Sequence, residues 1–427
     1  MKKALVVWLT CIMLVVAGCS STSNNGNAET NGESTTPAAG ATTLTMWSME
    51  TRNKEIIEKS IKQFNDENPD IQLKAEFFED EALKMKMKVA ITGNQLPDII
   101  TYWSGETFET LVSNGMLGDI TQQLDADPDF KNDVLNGGLD TFAYDGKNYG
   151  IPVLFSGVSL WYNKQIFADN GLTPPATYQE LLEVVDKLND KNIVPITVAG
   201  KDRWPVLHWF SYLAQRIGGM EPFEKAKSGE TDFTEDTFVQ AGTMLRELAV
   251  DHKGFVNGFL GLDYAAAESL FTNGKAAMYL QGEWAMNSFL GDDFAENVGF
   301  VPFPAVEGGK GGLNIYQGGF GAGMAISANA NQDAAYKAIR FLTDSAQRKE
   351  INEGANISPM KTANLDEANM HPLAFAYDSS ISESLEGFFS YYDQSLDAKR
   401  SEQFLNSVGA MLGQKDASIK DELAKVK

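Results

Sequence analysis

Three tryptophans stand where strand-like runs of this sequence give way to loops. Trp47 closes an alternating run that begins at Thr43. Trp103 follows Leu96-Pro97-Asp98-Ile99-Ile100, and Trp284 sits in a Gly282-Glu283-Trp284 turn. Strand ends are where open α/β sheets hold ligands. Flat rings in such places suit the apolar CH face of a polyhydroxylated ring, whose hydroxyl rim needs planar polar partners. Glu50 and Arg52 follow Trp47, and Glu106 follows Trp103, within reach of such a rim. The same equipment would serve a glycoside hydrolase, given two carboxylates roughly 5 to 9.5 Å apart across the scissile bond. With 58 Asp and Glu in the chain, composition does not separate the two chemistries.

Other chemistries are easier to set aside. Gln317-Gly318-Gly319-Phe320-Gly321-Ala322-Gly323 is glycine-rich, but no Lys-Ser/Thr follows and Met324-Ala325-Ile326-Ser327 reads as a strand. A phosphate loop needs that lysine and a helix start. Close backbone packing beside a site is expected instead, with Gln317 as a ligand contact. His208, His252 and His371 lie far apart without metal-ligand spacing, so neither a metal nor another cofactor is expected. The only cysteines are Cys11 and Cys19, which leaves no CxxC and no thiolate nucleophile in the body of the chain. A net charge of −23 argues against nucleic acid, whose phosphates would be repelled.

The elements that must position these residues alternate in type. Leu44 and Met46 have strand spacing, Ile57, Ile61 and Phe64 lie on one helical face, and Ile71, Leu73, Ala75 and Phe77 alternate again. Met85 to Ile91 reads as a helix and Leu96 to Ile100 as a buried strand. This rhythm predicts βαβ units and a mainly parallel sheet. A second such region starts near Gly150. Ile151-Pro152-Val153-Leu154 is expected to leave a first lobe, and Val158 to Tyr162 to open the next. Thr177 and Glu180 have capping-box spacing ahead of a helix carrying Leu181, Val184, Val185 and Leu188. Gly308 to Gly312 is expected to be a mobile loop.

The first residues set the compartment. Lys2 and Lys3 precede an apolar run from Ala4 to Ala17, shorter than the roughly 20 residues that span a bilayer. It ends in Val16-Ala17-Gly18-Cys19, which resembles the lipobox of bacterial lipoprotein precursors. That resemblance implies a signal peptide over 1–18 and a lipidated Cys19 on the outer face of the cell membrane, with palmitate among the acyl groups. Residues 19–42, rich in Ser, Thr, Asn and Gly, read as a flexible tether.

Further along, motifs occur in a fixed order. They are Leu96-Pro97-Asp98-Ile99-Ile100, Gly115-Met116-Leu117-Gly118-Asp119-Ile120, Trp161-Tyr162-Asn163-Lys164, Pro174-Pro175-Ala176-Thr177-Tyr178-Gln179-Glu180 and Phe271-Thr272-Asn273-Gly274-Lys275-Ala276-Ala277-Met278 with Gly282-Glu283-Trp284. In this order the chain resembles the family 1 extracellular sugar-binding proteins, which include the maltose-binding proteins. The resemblance implies an α/β, two-lobed periplasmic-binding-protein fold of type II, with discontinuous lobes joined by a hinge. The expected lobes are 43–152 with 303–350, and 153–302 with 351–427. It also implies a monomer without enzymatic activity that captures a di- or oligosaccharide between the lobes. Its partners would be an ABC permease with a separate ATPase, and it would touch the membrane only through the N-terminal lipid. Trp284 would stack on a sugar ring, Trp204 beside Arg203 would line the cleft, and Trp209 would anchor its helix in the core. The Tyr391-Tyr392-Asp393-Gln394 segment would bring Tyr391 and Asp393 to the ligand. Two cargo alternatives on the same fold are a glycerol phosphate ester, drawing on Arg52 and Arg203, and a polyamine, drawing on Glu50, Glu106 and Asp393.

Overall fold

A computed structural model describes residues 40–427 apart from 136, 291–292, 348–357, 362–369 and 415. The expected signal peptide, Cys19 and nearly all of the tether lie outside the described residues.

Strand β1 (Thr42–Ser48) buries Leu44, Met46 and Ser48 and turns Thr43 and Thr45 to solvent. The helix Lys54–Glu67 crosses to β2 (Ile71–Phe77), burying Ile57, Ile61 and Phe64 on one face. β2 and then β3 (Ile99–Trp103) pair with β1 in parallel, flanking it. β3 starts at Ile99, later than the sequence pattern suggests. Pro97 has no N–H for a ladder, and the Asp98 carboxylate instead accepts the Thr45 N–H at 2.7 Å.

After a two-stranded hairpin, β4 (Ala143–Tyr144) and β5 (Lys147–Asn148), comes β6 (Gly150–Asn163). The two strands expected at Ile151–Leu154 and Val158–Tyr162 form this one continuous strand. β7 (Val194–Thr197), β8 (Ala276–Gly282), β9 (Val298–Val301), β10 (Ile315–Ile326) and β11 (Gly387–Phe389) complete the set. The sheet runs β2-β1-β3-β10-β6-β8-β7, with β9 on β6 and β11 on β10. It is mixed where a mainly parallel sheet is expected. β10 is antiparallel to both β3 and β6, and β6 is antiparallel to β8 and β9. The reason is topological: β6 carries the chain across the sheet and β10 brings it back in the opposite direction.

Separate apolar clusters form on either side of this crossing. One holds Leu44, Phe64, Ile99, Ile151, Met324 and Met360. Another holds Val158, Leu181, Trp209, Met278 and Phe404, with Trp209 fully buried as expected. A third takes Phe155 and Trp161 from β6 together with Tyr316 and Tyr377. At Thr177 both capping-box bonds are made, each at 3.2 Å, an arrangement worth about 1 kcal/mol.

The loop 308–312 is tied down where mobility is expected. Lys310 and Gly311 donate their N–H groups to the carbonyls of Ile217 and Arg216, each at 3.1 Å, occupying acceptors at the end of the helix Trp204–Gly218. The buried Arg216 guanidinium in turn donates to the carbonyls of Phe303, Leu313 and Ile315. No helix among the described residues is long and apolar enough to cross a membrane.

Candidate functional site

A cleft with about 920 Å³ of empty space, its mouth included, lies where these elements converge. The Met49–Asn53 turn after β1 contributes Glu50 and Arg52, and the start of the helix Asp80–Gly93 contributes Asp80 and, one turn later, Lys84. An i,i+4 spacing puts the last two on one helical face. Trp103 closes β3 beside them. On the opposite wall the helix Trp204–Gly218 presents Trp204 and, one turn later, His208. The chain then adds Glu283 and Trp284 directly after β8, and Tyr391, Asp393 and Gln394 after β11. The floor comes from Leu154 and Ser156 of β6 with Gly321 and Ala322 of β10.

Glycine is required at two supporting points. Gly318 has φ +140° and a Cβ there would overlap the Ser156 carbonyl oxygen. Gly105, at φ +107°, lets the turn after Trp103 lie against the Gln394 carbonyl oxygen. Both are backbone conformations that L side chains rarely adopt.

The second wall is an aromatic box. Trp204 and Trp284 lie 6.3 Å apart at 63°, and Trp284 and Tyr391 lie 6.2 Å apart at 61°. The His208 ring fits among them, 5.2 Å from Trp204, 5.6 Å from Tyr391 and 6.4 Å from Trp284. Trp204 also stacks on Tyr264 at 5.6 Å and 25°. Such rings can cover both the faces and the edges of a flat apolar ligand surface.

The first wall is charged, and its cations are matched by acidic neighbours, one of them from the opposite wall. Lys84 lies 3.1 Å from Glu81, 3.8 Å from Asp393 and 5.3 Å from the centre of the Trp103 ring. Burial works against its ammonium, but Asp393, Glu81 and Asp80 outweigh it and hold its pKa above the usual value. Arg52 lies 4.9 Å over Tyr264, with Glu268 and Asp80 near enough to act on its charge. Burial raises the pKa of Asp80 and of Asp393, with Lys84 opposing both. Burial alone dominates on the other wall. It pushes Glu283 up to about 8 and His208 down to about 3, which favours the uncharged form of each at neutral pH.

Of the residues singled out in the sequence, Glu50, Arg52, Trp103, Trp204, Trp284, Tyr391 and Asp393 are brought together on this cleft. Four others stand off its wall. Trp47 packs edge-on to Phe78 at 6.1 Å, with the Lys86 ammonium 4.2 Å over its ring. Glu106 starts the helix Glu106–Ser113. Arg203 donates to Glu402 at 2.6 Å and to Asn406 at 2.9 Å. Gln317 is buried in β10, its N–H donating to the Tyr212 hydroxyl at 2.9 Å.

Asp80, Lys84, Ser156, His208 and Glu283 escaped the sequence reading. The i,i+4 pairings Asp80/Lys84 and Trp204/His208 were available as signals. Ser156 had none. No group of three or more metal-ligating side chains occurs among the described residues.

Comparison with known proteins places the chain among similar molecules. The sequence profile of the bacterial extracellular solute-binding protein family matches residues 50–349. A multiple sugar-binding protein of Streptococcus mutans is 24% identical, with 74% of each chain covered. A melibiose/raffinose/stachyose-binding protein of Bacillus subtilis is 24% identical over 84% of this chain and 80% of its own. Among solved structures, one from work on xylan utilization by Caldanaerobius polysaccharolyticus superposes with a TM-score of 0.84. It is 28% identical and covers 90% of this chain and 100% of its own. A chitin oligosaccharide binding protein shares the fold, with a TM-score of 0.83, 24% identity and coverage of 91% and 98%.

Proposed function

The chain belongs to the bacterial extracellular solute-binding protein family, and from that premise we propose that it captures a di- or oligosaccharide for an ABC importer. The observation that carries this reading is the aromatic box of Trp204, Trp284 and Tyr391 facing a wall of polar side chains across one cleft. Rings take the CH faces of a sugar, and the polar wall takes its hydroxyls. Relatives named for binding melibiose, raffinose and stachyose, or multiple sugars, support the same class of cargo.

Within this proposal the two lobes are 43–152 with 303–350 and 153–302 with 351–427, and β6 and β10 connect them. A ligand touching both walls favours the closed arrangement by its differential contacts. The closed protein delivers its cargo to a permease driven by a separate ATPase, and works as a monomer that breaks no bond in the sugar. Cys19, acylated, holds it to the outer face of the membrane. A phosphate ester is disfavoured because Arg52 and Lys84, the cationic side chains that line the cleft among the described residues, already have acidic neighbours.

Calorimetric titration of the purified protein with neutral oligosaccharides tests the reading. Saturable binding of one sugar type, with the sugar recovered intact, is expected. Binding confined to a phosphate ester or a polyamine would discard the carbohydrate assignment.

A further inference from the structure

Two polar side chains of the cleft take no part in the matched charges of the first wall. His208 and Glu283 are 3% and 1% exposed, yet both line the cleft close to Trp284, Glu283 next to it in the chain and the His208 ring 6.4 Å from it. We propose that His208 and Glu283 together read the part of the ligand that packs against Trp284, accepting an uncharged, hydroxyl-bearing sugar unit and rejecting its acidic counterpart. This rests on the carbohydrate reading above and adds to it which residues discriminate, and against what.

Geometry fixes both groups. His208 is held by the rings of Trp204 and Tyr391, so its imidazole has no room to swing away from the cleft. Gln317 acts on the ring, but among the described residues Nε2 closes no hydrogen bond of regular geometry. A ligand hydroxyl would give that ring a better-aligned partner. Glu283 Oε2 accepts the Gly157 N–H at 2.9 Å, and the Ser156 hydroxyl also acts on the carboxyl.

The groups facing Glu283 are Ser156 and Gly157 of β6, Tyr377 and Asp378 of the helix Pro372–Ser384, and Tyr391. None is a cation. A carboxyl buried there favours its protonated form at neutral pH, which can donate to a ligand oxygen while Gly157 satisfies its other atom. A neutral imidazole likewise offers one donor and one acceptor nitrogen. A sugar hydroxyl both donates and accepts, so it matches this pair. A carboxylate or phosphate only accepts and brings a charge. It would meet Asp80 and Glu50 on the facing wall and Asp393 beyond Tyr391, with the Arg52 and Lys84 cations already engaged.

The test is calorimetric affinity at pH 7 with maltotriose, cellotriose and melibiose. Whichever binds is then compared with derivatives carrying one carboxylate, an aldonic acid at the reducing end or a uronic acid at the other. At least one acidic derivative should bind about 100-fold more weakly. Glu283→Ala and His208→Phe should each weaken the neutral sugar at least tenfold, with Glu283→Gln and His208→Gln recovering most of the loss. Wild-type affinity should fall above pH 8, and Glu283→Gln should remove that fall. Circular dichroism confirms folding of each variant. Equal binding of neutral and both acidic forms, or undiminished affinity in folded Glu283→Ala and His208→Phe, overturns the inference and leaves the carbohydrate reading intact. Failure of every neutral sugar removes both.

Discussion

The Lys84 ammonium lies 3.8 Å from the Asp393 carboxylate and joins the two walls of the cleft. One comes from a helix packed on the first strands and the other from the segment after β11. Breaking a buried ion pair from one side typically costs about 3–5 kcal/mol. Here the pair is long and Lys84 keeps 20% of its side chain exposed, so Lys84→Ala should cost about 1–2 kcal/mol, measured by urea unfolding. An unchanged midpoint would mean that solvent already screens the pair.

Trp284 is expected to anchor the ligand. Trp284→Ala should weaken sugar binding by about 2 kcal/mol or more, as for an aromatic anchor in a desolvated pocket. Its thermal midpoint should stay close to that of the parent. Unchanged affinity by calorimetry would assign the ring to packing against Trp204 and Tyr391 alone.

Gly318 should resist substitution. A Cβ would overlap the Ser156 carbonyl oxygen on a backbone at φ +140°, so Gly318→Ala should lower stability by about 2 kcal/mol or more. A thermal midpoint equal to wild type would contradict the strand geometry at this crossing.

Stability should fall on both sides of an intermediate pH. Glu283 titrates at about 8 in the folded protein, against the usual 4.5, so the native state holds the proton more tightly than the unfolded chain. Its contribution is complete below about 4.5 and is lost as pH rises to about 8. Asp378, raised to about 7 by burial, acts in the same direction between about 3.8 and 7. His208, lowered to about 3, acts in reverse, losing stability as pH falls from 6.5 to 3. Chemical denaturation of Glu283→Gln should show a flatter slope between pH 5 and 8. An identical slope would exclude Glu283 as its source.

Cys19→Ala should release the protein from membranes into the soluble fraction. Retention in the membrane pellet would indicate another anchor.

Much of this architecture was legible in local pattern. Alternation placed β1 and β2, the 3.6-residue period placed the helix Lys54–Glu67, and the Thr177–Glu180 spacing gave its helix start to the residue. What pattern missed depends on long-range pairing. Nothing local says that Ile151–Leu154 and Val158–Tyr162 are one strand, because the join is stabilised by β10, more than 150 residues later. Nor does a run of glycines reveal that Arg216 and Ile217 supply the acceptors that tie down 308–312. At the cleft, tryptophans stood out by rarity and position. Glu283 and His208 did not, since their significance comes from burial without a charged partner, which only the assembled walls create.

The most direct test of sugar capture is the shift in thermal unfolding midpoint across mono-, di- and oligosaccharides, with phosphate esters and polyamines as controls. A ligand at about 100 times its Kd stabilises the folded state by roughly 2.7 kcal/mol, enough to read as a raised midpoint. The account predicts a rise with one family of neutral oligosaccharides and none with the charged controls. A rise with a charged control, and silence across the sugars, would contradict it.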